Sequence, residues 1–548
     1  MHTASTFPAY ERDCLDAPGI RLGYAIQYLF VTEGGRAQVH ASSAASSRRT
    51  TRRGLVLVGM MLSMALVAMD STIVGTAIPS IVTKLGGFRF FPWVFSVYTL
   101  VQAVTIPIYG KLADLYGRKP VLLIGIGIFL IGSILSGLSW NMTALIAFRA
   151  IQGIGAGAVQ PIATTVIGDL YTVEERGRAQ GYLSSVWGIA AILGPAIGGV
   201  VVQYASWEWI FYINVPIGAA ALWMISRNLF EQLSRQRHAI DIAGSLLLVT
   251  AFGLLLTALL QGGVAWSWGS LPSIACFLCG SLLLGAFIWV EHRASEPILP
   301  LWVFQQRLLI GANAASLVVG ALTIGLSSFL PTFLQGGLHA TPLVAGFCLA
   351  TMSIGWPLAS SFSAALYKRI GYRQTAFLGL GFCLVSGILF LQLNLSSPVW
   401  NAALFSFVMG LGLGWSTTPV LVAIQSAVVW QQRGVATGSN LFTRMIGSAV
   451  GAAVYGSLLN GAFAHWMQQA PATVAKQLPA STNASDLVLS HALQNLPANV
   501  VHYIQQGFYI GTHHLFWAIT CSAVVGLVAL TIMPRHSNTV TAPTTAQR

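Results

Sequence analysis

The chain has 548 residues, of which 55% are hydrophobic and only 8% charged, with a formal net charge of +13 and a mean hydropathy of +0.71. Soluble globular chains carry about 25% charged residues, so the three or four soluble domains that the length alone allows (about one per 150 residues) are excluded, and the chain reads as an integral membrane protein. The basic excess sits in short clusters between apolar runs, with no basic face interleaved with aromatics, which argues against a nucleic-acid partner.

Residues 1–53 are polar and irregular and read as a disordered cytoplasmic tail. The cluster "SRRTTRRG" at its end reads as a basic anchor before the first span rather than a twin-arginine signal, since no cleavage site follows. A bilayer core about 30 Å thick needs about 20 apolar residues per helix. Fourteen such runs follow, beginning near Leu55, Pro92, Val121, Ala144, Tyr182, Ile210, Ile242, Pro272, Leu309, Leu343, Ala376, Asn401, Thr437 and Thr512. The fold class is therefore an all-α polytopic membrane protein.

Charge fixes the expected orientation. The connections "GKLADLYGRKP", "EERGRAQ", "LSRQRH", "EHRASEP", "YKRIGYR" and "WQQRG" alternate with the nearly uncharged "LSWNMT", "ASWEW", "AWSWGS" and "NLSSPVW". By the positive-inside rule the first set is cytoplasmic, as are both termini. Lys84, Arg89 and Lys476 then fall outside, and Arg149 and Arg444 lie within spans.

"DLYGRK" after the second span and "KRIGYR" after the tenth form a repeat, with Gly117 matching Gly371. Two pseudo-symmetric six-helix bundles are expected at 54–230 and 297–535, separated by a two-helix insertion at 231–296. An outer loop is expected at 462–511, including the amphipathic "VLSHALQNL", and a cytoplasmic tail at 536–548. Parallel six-span repeats are a known transporter plan, with substrate bound near the midplane between them.

Asp70, in "ALVAMDSTIVGTAIP", interrupts the first span. A charge at mid-bilayer costs about 2.5–3.5 kcal/mol on insertion scales, so it is rare and usually functional. From Pro297 onward the only acid is Asp486, in the outer loop, which leaves Asp70 as the one carboxylate well inside the membrane. Burial disfavours a charged carboxylate and a nearby arginine favours it, so a site alternating between the two could carry a proton; a neutral, structural aspartic acid is the alternative. Arg149, Gln152, Ala156 and Gln160 share one helical stripe that should face a cavity. Arg149 is the expected partner of Asp70, with a difference in depth of about 5–10 Å from the 1.5 Å rise per residue; snorkelling outward is its alternative. Asn440 and Arg444 form a second polar face, again with snorkelling as the alternative for the arginine. Tyr98, Gln102, Trp187, Trp356 and Trp415 stand at mid-helix depths and complete the candidate cavity, each with plain packing as the competing reading.

In "GKLADLYGRKP", Gly110 permits close helix approach, Asp114 can cap or pair across the turn, and Gly117, Arg118 and Lys119 form the basic turn. Gly194 and Gly198 are spaced for close helix contact and Pro195 for a bend, while Gly447 and Gly451 read as packing. "GIGAGA" and "MGLGLGW" follow no strand, so they are packing glycines rather than dinucleotide loops. No phosphate-binding G-x-x-x-x-G-K-[ST] or catalytic triad pattern occurs; the chain is not read as an enzyme. Cys276 and Cys279 form a lone C-x-x-C in an apolar run, which reads as packing rather than metal binding.

The "GKLADLYGRKP" segment resembles the signature between helices two and three of the major facilitator superfamily. "LIAFRAIQGIGAGAVQP" resembles its fourth-helix motif, and "WGIAAILGPAIGG", carrying Gly188, Gly194, Pro195, Gly198 and Gly199, resembles the antiporter motif of its fifth helix. "MDSTIVGTAIP", "WEWIFYINVPIG", "EPILPLWVF" and "RGVATGSNLFTRMIGSAVG" are similar to the fourteen-span drug:proton antiporter branch. Gly75 and Glu208 depart from that pattern, which usually has Asn and Arg there.

The resemblance implies a proton-coupled exporter of amphipathic small molecules in the cell membrane. A dedicated exporter of one metabolite, lipid or siderophore is one alternative, and a receptor or scaffold on a transporter fold another. No cofactor and no metal are expected. The partners implied are a small-molecule substrate, protons and the lipid bilayer, with the chain a monomer and any periplasmic or accessory partner left open.

Overall fold

The computed structural model describes residues 51–86, 90, 92–231, 241–262, 266–475 and 496–535. Among them no strand occurs, and fourteen helices are long and apolar enough to cross a membrane. In chain order the first six are α1 Arg53–Leu85, α2 Pro92–Tyr116, α3 Arg118–Gly137, α4 Met142–Leu170, α5 Val173–Tyr204 and α6 Trp209–Asn228. Then come α7 Ile242–Gln261 and α8 Leu271–Glu291. The last six are α9 Arg307–Gly336, α10 Pro342–Ile370, α11 Tyr372–Phe390, α12 Val399–Ala427, α13 Arg433–Gln468 and α14 Ala498–Leu530. The tails before residue 51 and after 535, and residues 488–495 of the amphipathic stretch, lie outside the described residues.

Polar side chains mark where helices begin. Asn141 accepts from the Ala144 amide at 2.8 Å to start α4, Asp241 accepts from Gly244 at 2.7 Å to start α7, and Thr172 with Glu175 forms a capping box on α5. These contacts satisfy amides that the first helical turn leaves unpaired. The two repeated turns use the same device: Gly117 has φ 94° and Gly371 has φ 87°, a region that a side chain would strain. The repeat read from the sequence thus reappears as matching backbone geometry at the α2–α3 and α10–α11 corners.

Buried apolar side chains gather in two main clusters. One is built from α1–α6, around Met60, Leu122, Phe129, Ile162 and Ile225. The other is built from α9–α14, around Leu322, Phe333, Phe390, Met409 and Phe516. The α7–α8 pair leans across the line where α2 meets α13: Leu256 packs with Ala103, Val104 and Ala449, and the Phe252 ring stands edge-on to Phe442 at 4.8 Å. After α8, Glu296 binds Lys111 of α2 at 2.6 Å.

The outer loop expected at 462–511 is narrower than that. Helix α13 runs on to Gln468 and α14 already starts at Ala498. Leu459, Phe463 and Met467 repeat every four residues and face Val500, Ile504 and Phe508, with the Trp466 ring stacked on Tyr503 at 5.0 Å. That stripe extends the helix pair beyond the apolar spans. Cys276 and Cys279 are free thiols on α8.

Candidate functional site

Asp70, halfway along α1, reaches Arg149 of α4. Arg149 Nη1 donates to Asp70 Oδ2 at 2.5 Å, and both side chains are 0% exposed. The expected 5–10 Å depth difference (1.5 Å per residue along each axis) is corrected: the two groups meet. An arginine side chain itself reaches several ångströms, enough to close that interval from α4 to α1.

The pair is closely enclosed. Gln152, one turn from Arg149, donates to Asp70 Oδ1 at 2.8 Å and accepts from Arg149 at 2.8 Å. Asn214 of α6 approaches the same Oδ1 at 3.5 Å and donates to Ser133 at 3.0 Å. Arg149 Nε donates to the Val94 carbonyl at 3.2 Å, and its guanidinium lies 4.0 Å from the centroid of the Tyr98 ring. A buried ion pair keeps its charges only when the remaining lone pairs and protons are also met; this shell occupies both carboxylate oxygens and the Nε and Nη1 donors, while Nη2 has no hydrogen-bond partner among the described residues.

A cavity of about 480 Å³ lies between the two clusters. Of the sequence candidates, Gln160, Trp187, Gly188, Trp356, Asn440 and Arg444 line it. Tyr98, Gln102, Gln152 and Trp415 do not. Tyr98 and Gln152 belong to the walls of the ion pair. Gln102 is buried where α2 meets Gly157 of α4, and Trp415 packs edge-on against Phe382 at 5.1 Å. The stripe from Arg149 to Gln160 is therefore split between a sealed pair and an open cavity, rather than facing one cavity throughout. Ser316, Thr323, Ser327, Thr72 and Thr417 add hydroxyls to the lining. Trp356 donates its indole N–H to Thr417 at 3.2 Å, and Asn440 donates to Ser316 at 2.8 Å.

The two halves are closed at the end carrying the basic loops. Gly110 of α2 faces Gly434 of α13 so closely that an added Cβ would lie 2.6 Å from the Gly434 carbonyl oxygen. Asp114 caps α13 across the halves, accepting from the Gly434 and Val435 amides at 2.9 and 2.8 Å. Arg118 is almost fully buried: it pairs with Asp114 at 2.9 Å and Asp169 at 3.1 Å, donates to the Trp430 carbonyl at 2.6 Å, and lies 3.8 Å over that ring. Lys119 donates to the Ser226 carbonyl at 2.8 Å. Residues that the sequence reading left out complete the closure. Arg433 binds Asp169 at 2.8 Å, Arg176 donates to Ser426 at 3.2 Å, Glu231 accepts from the Arg118 and Lys119 amides, and the Tyr367 hydroxyl donates to the Val173 carbonyl. The sequence signal for Arg176, Tyr367 and Arg433 is their place in the basic connections "EERGRAQ", "YKRIGYR" and "WQQRG"; Glu231 carries none beyond its charge.

The same seam continues along α5 and α10, where Gly177, Gly181 and Gly188 lie against Ala364, Ser361 and Ser353. The cavity opens alongside this seam, with Gln180, Leu183 and Ser184 of α5 already in its lining, and it extends past Thr72, Ser327 and Gly346 toward the sparsely charged end. Gly194 lies against Thr72 of α1, whose hydroxyl donates to the Ala190 carbonyl at 3.1 Å. Gly198 is buried and Gly199 exposed; the side chain of Pro195 lies outside the described residues. At the sparsely charged end Glu208 binds Lys84 at 2.6 Å. Burial opposes the charge of Glu208, but hydrogen bonds from Lys84 and Ser206 hold its carboxyl below the usual range. Gly447 and Gly451 press on Leu317 and Ala321 of α9, as packing requires.

Residues 60–452 match the family model described as the Major Facilitator Superfamily. The chain is similar to "Multidrug resistance protein 3" of Bacillus subtilis (36% identity, covering 76% of this chain and 81% of that protein). It is similar to "Multidrug transporter protein MdtP" of the same organism at 33%, covering 83% and 84%, and to "Efflux pump FUS6" of Gibberella moniliformis at 30%, covering 83% and 82%. Among solved structures, the human organic anion transporter MFSD10 (TETRAN) shares the fold, with a TM-score of 0.58 at 16% identity over 87% of this chain and 99% of that one.

Proposed function

The chain belongs to the major facilitator superfamily, and we propose that it is a proton-coupled exporter of amphipathic small molecules. In this reading it acts as a monomer in the cell membrane, with the basic loops and both termini in the cytoplasm. The structure then stands closed to the cytoplasm and open outward, as it would after releasing substrate. The two halves rock about the central cavity to present it alternately to each side.

One observation carries the proton-coupling part: Asp70 is paired with Arg149 inside the membrane-spanning bundle, on the wall of the transporter but outside the cavity. Multidrug and efflux proteins among the relatives support export of small molecules. Proton coupling further requires the pair to part and meet water in another conformation, since both side chains are sealed in this one. The driving force is adequate: one proton crossing 100 mV is worth about 2.3 kcal/mol, which sustains roughly a fifty-fold gradient of a neutral substrate at 1.4 kcal/mol per factor of ten.

The test is dye and antibiotic efflux from energised cells, comparing wild type with Asp70→Asn and Arg149→Ala, with and without an uncoupler. Uncoupler-sensitive efflux of several compounds, lost in both variants, is the expected result. Efflux indifferent to the uncoupler would end the proton reading. Resistance to a single compound would identify a dedicated exporter, and phenotypes untouched by Asp70→Asn a receptor or scaffold.

A further inference from the structure

We propose that the molecules this cavity accepts carry an anionic group, a carboxylate, sulfonate or phosphate on an aromatic body, and that Arg444 binds it. The proposal rests on the export reading and names its substrate class.

Among the described residues Arg444 is the only charged side chain in the cavity lining, with no Asp, Glu, Lys or His beside it there. Arg149 shows how this bundle surrounds a buried guanidinium that has an internal partner: it is given a carboxylate, an amide, a backbone carbonyl and an aromatic face. Among the described residues Arg444 has no such partner for its side chain, and only its backbone carbonyl is used, accepting from Ser448 at 3.2 Å.

The chain cannot readily supply the missing charge. From Pro297 on, the sequence holds one acid, Asp486, in the connection between α13 and α14. In the other half Asp70 is committed to Arg149. A guanidinium offers five donors in a planar fork that fits carboxylates and related oxyanions, and in a cavity walled by low-dielectric protein an uncompensated positive charge attracts anions and repels cations. Hydroxyls of Ser316 and Ser448 stand in the same lining, and Trp187 and Trp356 offer flat faces for the rest of the molecule. The arrangement suits an amphipathic anion and disfavours a lipophilic cation.

Purified full-length protein is titrated with three probes of one shape, 2-naphthalenesulfonate, 2-naphthalenemethanol and 2-naphthylmethylammonium, following tryptophan fluorescence and equilibrium dialysis. No gradient is present, so the outcome is independent of proton coupling, which the uncoupler experiment decides. The sulfonate is expected to bind at least tenfold tighter than the ammonium. Arg444→Gln should lower sulfonate affinity to that of the alcohol while leaving the alcohol unchanged, and Arg444→Lys should keep part of the preference. Size-exclusion profile and melting temperature check that both variants fold; if Arg444→Gln does not, the wild-type order and Arg444→Lys decide. Equal or tighter binding of the ammonium, an order unchanged by the substitutions, or no saturable binding of the sulfonate overturns the proposal.

Discussion

Removing one member of the Asp70–Arg149 pair is expected to harm the protein more than removing both. In Asp70→Asn the guanidinium keeps Gln152, the Val94 carbonyl and the Tyr98 face but loses its only carboxylate. An unpaired charge buried in this way costs about 3–5 kcal/mol, whereas replacing a whole buried pair by neutral groups is often close to neutral. Arg149→Gln should be comparably destabilised, because it leaves the carboxylate with only Gln152 and Asn214. The double variant Asp70→Asn/Arg149→Gln, carrying no charge, should return to within about 1–2 kcal/mol of wild type, a coupling of several kcal/mol in a double-mutant cycle. Thermal or denaturant unfolding of the purified protein measures stability, and gradient-driven efflux measures function. The expected signature is a double variant that is stable and yet inactive. Two results would refute the reasoning: Asp70→Asn as stable as wild type, which removes the pair as a strut, or gradient-driven efflux surviving in the double variant, which removes it as an engine.

Three further outcomes follow from the ends of the bundle. In Gly110→Ala the new Cβ meets the Gly434 carbonyl oxygen at 2.6 Å, a backbone atom that cannot swing aside; overpacking of about 1–3 kcal/mol should shift the halves toward opening at the basic end, seen as longer distances between spin labels across the α2–α13 seam. Asp114→Asn removes both the charged cap on the Gly434 and Val435 amides and one of the carboxylates paired with buried Arg118, and should move the same distances in the same direction, by at least the about 0.5–2 kcal/mol of a lost cap. Glu208→Gln should change stability at neutral pH by no more than about 1 kcal/mol, because Lys84 is 61% exposed. Since the folded carboxyl of Glu208 lies below its ordinary value of 4.5, its contribution is present above pH 4.5 and fades as pH falls through the lowered value. The melting-temperature difference between wild type and Glu208→Gln should therefore shrink in acid, and a difference that grows there contradicts the assignment.

The sequence made the spans legible because run length and apolar content are what a bilayer demands, and it made Asp70 and Arg149 legible because charges stand out against those runs. It did not reveal that the two touch. Residue counting measures depth along each helix axis, and a long arginine side chain reaching between helices does not respect that measure. Tyr98, Gln102 and Trp415 show a second limit. A helix that is apolar on every side gives no clue to which way a residue points, so mid-span aromatics and amides divide between cavity and packing only when neighbours are known. The basic-end closure marks a third. Asp114 and the Gly434 amide are 320 positions apart, and Asp169, Arg176 and Arg433 look like ordinary charged helix ends until the halves are assembled. The overlong α13 and α14 were hidden differently: their stripe of large apolar residues sits in a stretch too polar to count as a span.

The position of Asp70 also bears on how a proton and a substrate could be linked. Helix α1 presents Met64 and Thr72 to the cavity, while Asp70 between them faces Arg149, with Tyr98, Gln152 and Asn214 completing its surroundings. Thr72 ties the same helix to the Ala190 carbonyl of α5, next to Gly194. A change in the partners of Asp70 can therefore reach the cavity by moving α1 against α5, without the carboxylate ever touching the substrate. That separation has a measurable consequence. When a proton and a ligand compete for one group, apparent affinity falls about tenfold per pH unit without limit on the acid side of the pKa and is level only on the alkaline side. Linkage between two separate sites saturates instead, at a coupling factor typically about 5–150. Binding of a neutral probe such as 2-naphthalenemethanol, measured across a wide pH range, should show a plateau at both ends, and in Asp70→Asn the step between the plateaus should vanish. An affinity that keeps falling tenfold per unit into acid, with a plateau at the alkaline end alone, would mean that the carboxylate enters the binding site, and α1 would then be a ligand-bearing helix rather than a lever.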